Sequence, residues 1–424
     1  MKRKKLMLAA TIVLSLLVTA CGNNGGGTNA GNAEGTANAG NNNAAAESSD
    51  KSGQSAADGS NIAGVKQPPW YQEPNAAQLE AVKLDNASDM IVSSGPNGEE
   101  AMPASDIVIT EEQAAKIKEG KFTAAIAMGF LGDDWSEQQL AGLKSEFGKL
   151  GIEVVAETNA NFKDTTQISD LQAIAGKKPN IVVSIPLNAQ TTASAYKALA
   201  AAGTKIVFMD QPAEGMEAGK DYVSVVSADS FGLGMNIADE LAKAVGGKGE
   251  VAALYYAPNF YVTNQRYQGF VARLAAKHPD IKLVEAQGFQ DPNRSQEVAA
   301  AILTKYPNLK GIYGSWDVPA MGAVAAARVA GKDPKNFKIA NENLGNEAAL
   351  NMAQNGFIAG IGSQRPFDQG VAEAKLAALA MIGEPTPAYV AVPSLAVNRD
   401  NLEESYKVIY HKDAPADILA ALKK

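Results

Sequence analysis

The hydrophobic pattern divides the chain into an N-terminal stretch with few apolar side chains and a long body in which short apolar runs alternate with amphipathic ones. The unit at 122–151 sets the rule for the body. Residues 122–128 form a mostly apolar run, the mark of a strand buried on both faces. A polar turn follows, Gly129-Phe130-Leu131-Gly132-Asp133-Asp134-Trp135. Beyond Ser136 the apolar positions are Leu140, Leu143, Phe147 and Leu150, and steps of three, four and three predict a helix. Gly151 predicts its end. The turn therefore lies at the carboxyl end of a strand, where open α/β sheets bind ligands. Just upstream, Thr110-Glu111-Glu112-Gln113 has the form of a capping box opening a helix that closes at Gly120.

The alternation continues. Strands are expected at 152–156, 181–185, 206–209 and 222–226, with helices at 165–175, 189–201 and 231–245. The plan then repeats, with strands at 250–255, 282–286, 311–314, 338–340 and 358–362 and helices at 263–276, 295–304, 320–330, 347–355 and 369–382. Regular βα alternation predicts parallel sheets covered by helices on both faces. These are too many strands for one sheet, and the pattern restarts near residue 228. Two α/β lobes, each a doubly wound parallel sheet, are expected.

The N-terminal stretch reads differently. Lys2, Arg3, Lys4 and Lys5 precede an apolar segment at 6–18, which is short for a membrane span and suits a signal peptide over 1–20. It ends Leu17-Val18-Thr19-Ala20-Cys21-Gly22, which resembles a bacterial lipobox and marks Cys21, the only cysteine of the chain, for lipidation. Residues 21–64 are rich in Gly, Asn, Ala and Ser, cannot bury enough surface to fold, and predict a flexible tether. A coil of that length spans roughly 35 Å root-mean-square. Residues 65–121 are expected to be an extension packed on the body. They carry turn signals at Pro68-Pro69-Trp70-Tyr71 and Gly95-Pro96-Asn97-Gly98, and a short helix fits 75–84.

Composition narrows the chemistry. The formal net charge is -8 over 424 residues, which argues against nucleic acid as a partner. One cysteine and two histidines leave no internal disulfide and no His/Cys metal cluster, so neither metal nor cofactor is expected. The sequence contains no G-x-S-x-G elbow, H-E-x-x-H helix, G-x-x-x-x-G-K-[ST] loop or G-x-G-x-x-G turn, and an enzyme is not the expectation.

Several segments, in order, resemble the periplasmic sugar-binding proteins of the ribose-binding type, which serve ABC importers. They are Gly132-Asp133-Asp134-Trp135, the strand end Met209-Asp210, Ser227-Ala228-Asp229, Asn264-Gln265-Arg266 running on to Phe270, Trp316-Asp317 running on to Gly322, and Gln364. The resemblance spans about 122–410. It implies a type 1 periplasmic binding fold with two lobes at 122–227 with 366–390 and at 228–365 with 391–410, followed by a tail at 411–424. Three crossings, near Ser227, 365–367 and 391–397, would form the hinge. Trp135 and Trp316 would cover the apolar faces of a sugar ring. Asp133, Asp134, Asp210 and Gln211 from the first lobe, and Asn264, Arg266, Gln290, Asp317, Asn343 and Gln364 from the second lobe or hinge, would meet its hydroxyls. Carboxylates only accept, guanidinium only donates, and carboxamides do both. One of Asp133 and Asp134 is expected to cap the helix that starts near Ser136. Gln211 stands where the family often has arginine, Trp316 where it has asparagine, and Asn341-Glu342-Asn343 where it usually has Phe-Asp. The pocket loses a guanidinium and gains an indole, and should still want hydroxyls. The implied partners are a sugar or polyol and a membrane permease. The protein would be a monomer that meets the membrane only through its lipid. A receptor of the same fold, reading a sugar or sugar-derived signal for a membrane kinase, fits the same residues.

Overall fold

The computed structural model describes residues 65–85 and 90–424. The expectations for the signal peptide, Cys21 and the tether lie outside the described residues.

The extension contributes α1 (Ala76–Ala81), β1 (Met102–Pro103) and α2 (Glu111–Glu119). Asn75 and Gln78 close a capping box on α1, and Thr110 and Gln113 close the expected one on α2. The first βα series is β2 (Thr123–Met128), α3 (Asp134–Leu150), β3 (Glu153–Asn159), α4 (Asp164–Lys177), β4 (Ile181–Ser184), α5 (Ala193–Ala201), β5 (Lys205–Met209) and β6 (Ser224–Ala228). The second is α6 (Ser230–Ala244), β7 (Gly249–Tyr256), α7 (Tyr261–Lys277), β8 (Ile281–Phe289), α8 (Ser295–Lys305), β9 (Gly311–Gly314), α9 (Asp317–Val329), β10 (Lys338–Glu342), α10 (Asn346–Ala353) and β11 (Ile358–Ser363). The chain closes with α11 (Pro366–Met381), β12 (Tyr389–Val392), β13 (Leu395–Val397), α12 (Leu402–Tyr410) and α13 (Ala416–Leu422).

Two sheets result. The first has the order β1-β12-β6-β5-β4-β2-β3 and the second β13-β11-β10-β9-β7-β8. Strands such as β2 and β4 are buried along nearly their whole length, as parallel strands covered on both faces must be. The chain leaves the first sheet between β6 and α6, returns between β11 and α11, and leaves again between β12 and β13. In α3, Leu143, Phe147 and Leu150 face the core, and Gly151 ends the helix in the left-handed region at φ 71°.

Local chemistry accounts for the departures from the expected elements. The helix expected from residue 189 begins at Ala193, because the Asn188 side chain accepts the backbone N–H groups of Gln190 and Thr191 and turns the chain first. Strand β6 lies two residues later than expected. The sheets are not wholly parallel, since β13 runs antiparallel to β11. The third crossing returns the chain at the end of the second sheet where the other strands finish, so β13 must run away from that end.

The extension is ordered across its described residues and touches both lobes. Trp70 sets its ring edgewise on Tyr255 and Tyr267, at centroid distances of 5.6 and 5.7 Å, and donates Nε1–H to the Ala257 carbonyl at 3.0 Å. Ser93 donates its N–H and Oγ–H to Asp229 Oδ1, at 2.9 and 2.7 Å, beside the first crossing. β1 then pairs with β12 at the edge of the first sheet.

One helix contact positions the site. Helices α6 and α7 cross at Gly234 and Gly269. A Cβ on Gly234 would lie 2.0 Å from the Arg266 carbonyl oxygen, and one on Gly269 would lie 2.1 Å from that of Phe231. Only glycine lets the backbones approach so closely, and the contact holds Arg266 in place on α7.

Candidate functional site

A cavity of about 670 Å³ lies between the lobes at the carboxyl ends of the strands. The first lobe supplies the loop after β2, with Phe130, Asp133 and Trp135, the turn after β3, with Asn161 and Phe162, and Asp210 at the end of β5. The second supplies Tyr256, Arg266 of α7, Gln290, Trp316, Asn343 and Gln364. A second cavity, of about 450 Å³, lies on the outer side of the first lobe between Ile107, Leu376 and Pro385, away from these strand ends.

Arg266 is the centre of the second-lobe wall. It is 3 % exposed, and its Nη1 donates to Glu342 Oε2 at 2.7 Å. Glu342 is fully buried and also accepts from Tyr313 Oη and from Ser315 Oγ. Burial and the Glu342 charge push the Tyr313 hydroxyl well above its usual range. With three donors on the carboxylate, the guanidinium is pinned in orientation, and its buried Nη2 has no protein partner. Gln364 donates Nε2–H to Asn343 Oδ1 at 2.9 Å, which leaves its Oε1 buried without a partner.

Asp210 faces this wall from the first lobe. It is non-glycine at φ 61°, a conformation that costs energy and persists where the surroundings enforce it. Its Oδ1 accepts from Ser227 Oγ at 2.8 Å. Burial raises its pKa, while the Arg266 charge and the Ser227 hydrogen bond oppose the rise. Trp135 is 6 % exposed, stacks on Phe130 at 5.7 Å, and has a buried Nε1 with no protein partner. Trp316 is set edgewise to Tyr256 and Phe289 at 5.3 and 5.4 Å.

Thus the structure brings Asp133, Trp135, Asp210, Arg266, Gln290, Trp316, Asn343 and Gln364 to one cavity. Asp133 also caps α3, accepting the Ser136 N–H at 2.8 Å. Four of the expected residues are not among those lining the cavity. Asp134 reaches across to the second lobe, where it accepts the N–H of Asn346 at 2.8 Å and its Nδ2–H at 2.5 Å at the start of α10. Gln211 stitches Pro186 to the Tyr261 N–H, again lobe to lobe. Asn264 donates to Asn259 Oδ1 at 2.6 Å at the start of α7. Asp317 opens α9 against Gly345, and burial with the charges of Asp133 and Asp134 pushes it up to about 8.

Sequence reasoning passed over Glu342, Phe130, Phe162 and Tyr256. Glu342 stands two residues past the expected strand at 338–340, and only its burial in β10 reveals that it needs a partner. The aromatic residues lie in loops and at strand ends, where no period marks a facing side chain.

The fold and the site now define a class: two α/β lobes with a polar, aromatic-walled cleft at their strand ends. Residues 124–385 match the periplasmic binding protein domain, and the chain belongs to that family. The ribose import binding protein of Bacillus subtilis is 24% identical over 213 residues, covering 50% of this chain and 68% of that protein. The D-allose-binding periplasmic protein of Escherichia coli is 22% identical over 259 residues, covering 59% of this chain and 82% of that protein. Among solved structures, an ABC transporter solute-binding protein from Agrobacterium vitis with bound α-D-tagatopyranose superposes with a TM-score of 0.63 at 24% identity. That alignment covers 69% of this chain and 100% of that one. An arabinose-binding protein from Geobacillus stearothermophilus gives 0.60 at 20% identity, covering 67% and 99%. The fold is therefore that of sugar ABC transporter solute-binding proteins, a family that works outside the cytoplasm.

Proposed function

We propose that this protein captures a sugar or polyol in the interlobe cleft and delivers it to an ABC importer, held at the outer face of the cell membrane by lipid on Cys21. The observation that carries the reading is the set of buried, partnerless polar atoms on aromatic-walled ground: Arg266 Nη2, Trp135 Nε1 and Gln364 Oε1. Leaving such atoms unpaired costs about 1–3 kcal/mol each. Ligand hydroxyls supply both the acceptors and the donors they lack. A ligand that meets Asp210 and Arg266 together touches both lobes and favours the closed arrangement. The relatives named for ribose, D-allose and arabinose support the ligand class.

A thermal-shift screen of the purified protein against pentoses, hexoses and polyols tests this. A ligand at a hundred times its Kd adds about 2.7 kcal/mol, a shift of a few degrees. One clear hit, abolished by Arg266→Ala, is expected. No hit from folded protein freed of ligand would overturn the sugar reading. Receipt by a permease is checked separately, by ligand uptake into vesicles holding the importer.

A further inference from the structure

The cleft is graded from a buried polar end to an exposed aromatic end. Asp210, Arg266 and Gln364 are all at most 3 % exposed, while Phe162 on the same cavity is 57 % exposed. Phe162 occupies an unusual place. Lys163 N–H bonds to the Ala160 carbonyl, and the two residues between, Asn161 and Phe162, have φ of 52° and 60°. This is the tight turn with both central residues left-handed, normally filled by Asn-Gly. A bulky residue in the glycine position is strained. The turn is tied to the first loop, since Phe162 N–H donates to the Gly129 carbonyl at 3.0 Å. The result is a nearly parallel stack of Phe162 on Phe130, with centroids 4.4 Å apart and planes at 7°. Phe130 in turn stacks on Trp135, so the aromatic surface is continuous with the inner wall.

The lining points the same way. The cavity runs from Asp210, Arg266 and Gln364 at one end to Phe130, Phe162 and Asn293 at the other. A single sugar ring at the polar end leaves the aromatic end uncovered.

Building on the sugar-binding reading above, we propose that Phe130 and Phe162 form a second subsite and that the ligand has two linked rings. The first is a sugar ring at Asp210, Arg266 and Gln364. The second presents a flat apolar face to the phenylalanine stack. A second sugar ring and an aryl aglycone share that face, and exposed Asn293 on the same cavity is available to hydroxyls of the former.

The test is calorimetric titration of the full-length protein with matched triplets: a monosaccharide, its disaccharide and its p-nitrophenyl glycoside. At least one two-ring compound is expected to bind tenfold or more tightly than its monosaccharide. Phe162→Gly relaxes the turn and so protects folding; it is expected to remove most of that advantage, weakening the two-ring compound several-fold more than the monosaccharide. Which two-ring arm gains identifies the second ring. Monosaccharides that bind as tightly as every two-ring partner would overturn the subsite while leaving the sugar reading standing, and so would a Phe162→Gly loss shared equally by both. Binding of none of the three classes would overturn both.

Discussion

The two walls of the cleft are built on opposite principles. The second-lobe wall is centred on a helix held by close backbone contact at Gly234 and Gly269, with Arg266 locked on a carboxylate that has no exposure, and strand ends and loops complete it. The first-lobe wall is mostly loop, its rings held by stacking and by strained backbone at Asp210, Asn161 and Phe162. One wall fixes the direction of hydrogen bonds before any ligand arrives, and the other offers surface. Specificity for hydroxyls should therefore reside mainly in the second lobe, where a missing partner leaves buried charge unpaired. Tolerance of different ring faces should reside in the first.

Breaking the rigid wall should do most damage. Arg266→Ala strands the Glu342 carboxylate, and removing one member of a buried pair costs about 3–5 kcal/mol. Denaturant unfolding should read that loss, and titration should find no binding. If Glu342→Gln, which keeps a hydrogen-bond acceptor for Arg266, proves as harmful, the charge itself is what matters. Gly269→Ala comes next. The new methyl meets the Phe231 carbonyl, and overpacking of this kind costs about 1–3 kcal/mol. Its displacement of α7 should weaken every ligand alike, and a ligand-selective effect would argue against a purely positional role.

The contact between the walls should have smaller effects. Asp134→Ala removes both bonds to Asn346, worth about 1 kcal/mol or a little more each at an exposed edge. Its expected outcome is a larger radius of gyration in small-angle scattering, with ligand affinity down several-fold. An unchanged radius would show that these bonds do not hold the lobes together.

Charge across the cleft gives the effect that pH alone can expose. Asp317 is pushed up to about 8 by burial and by Asp133 and Asp134, whereas an unfolded Asp titrates near about 3.9. Between those values the folded chain holds a proton that the unfolded chain has released. The contribution to stability is complete below about pH 4 and is lost as pH rises through about 8. Asp317→Asn should therefore be stabilising at pH 9, with the advantage shrinking toward pH 5. Melting curves of both proteins across that range would disprove this if their difference stayed constant.

Much of the fold was legible because burial is periodic. The run of small apolar residues at β2 and the Leu143, Phe147 and Leu150 stripe of α3 are local patterns with one economical solution. The capping box at Thr110 lies within four residues and was equally readable, whereas the one at Asn75 appeared only in the structure. Residues that line the cleft were readable where they followed a strand end, as Asp210 and Trp135 do. Asp134 and Gln211 show the limit: both follow strands, yet their partners, Asn346 and Tyr261, belong to the other lobe.

The sequence by itself determined the α/β alternation, the restart near residue 228, the element positions to within a few residues and the family pattern, because these are written along the chain. Only the tertiary structure decided which polar groups meet. The Arg266–Glu342 pair spans 76 residues and the Asp134–Asn346 contact spans 212. The first follows from how α7 packs on the second sheet and the second from how two sheets are brought together through three crossings, and hydrophobic periodicity along a chain carries no information about either. The same is true of Phe162, whose exposure and strain acquire meaning only when the turn after β3 is laid against the loop after β2.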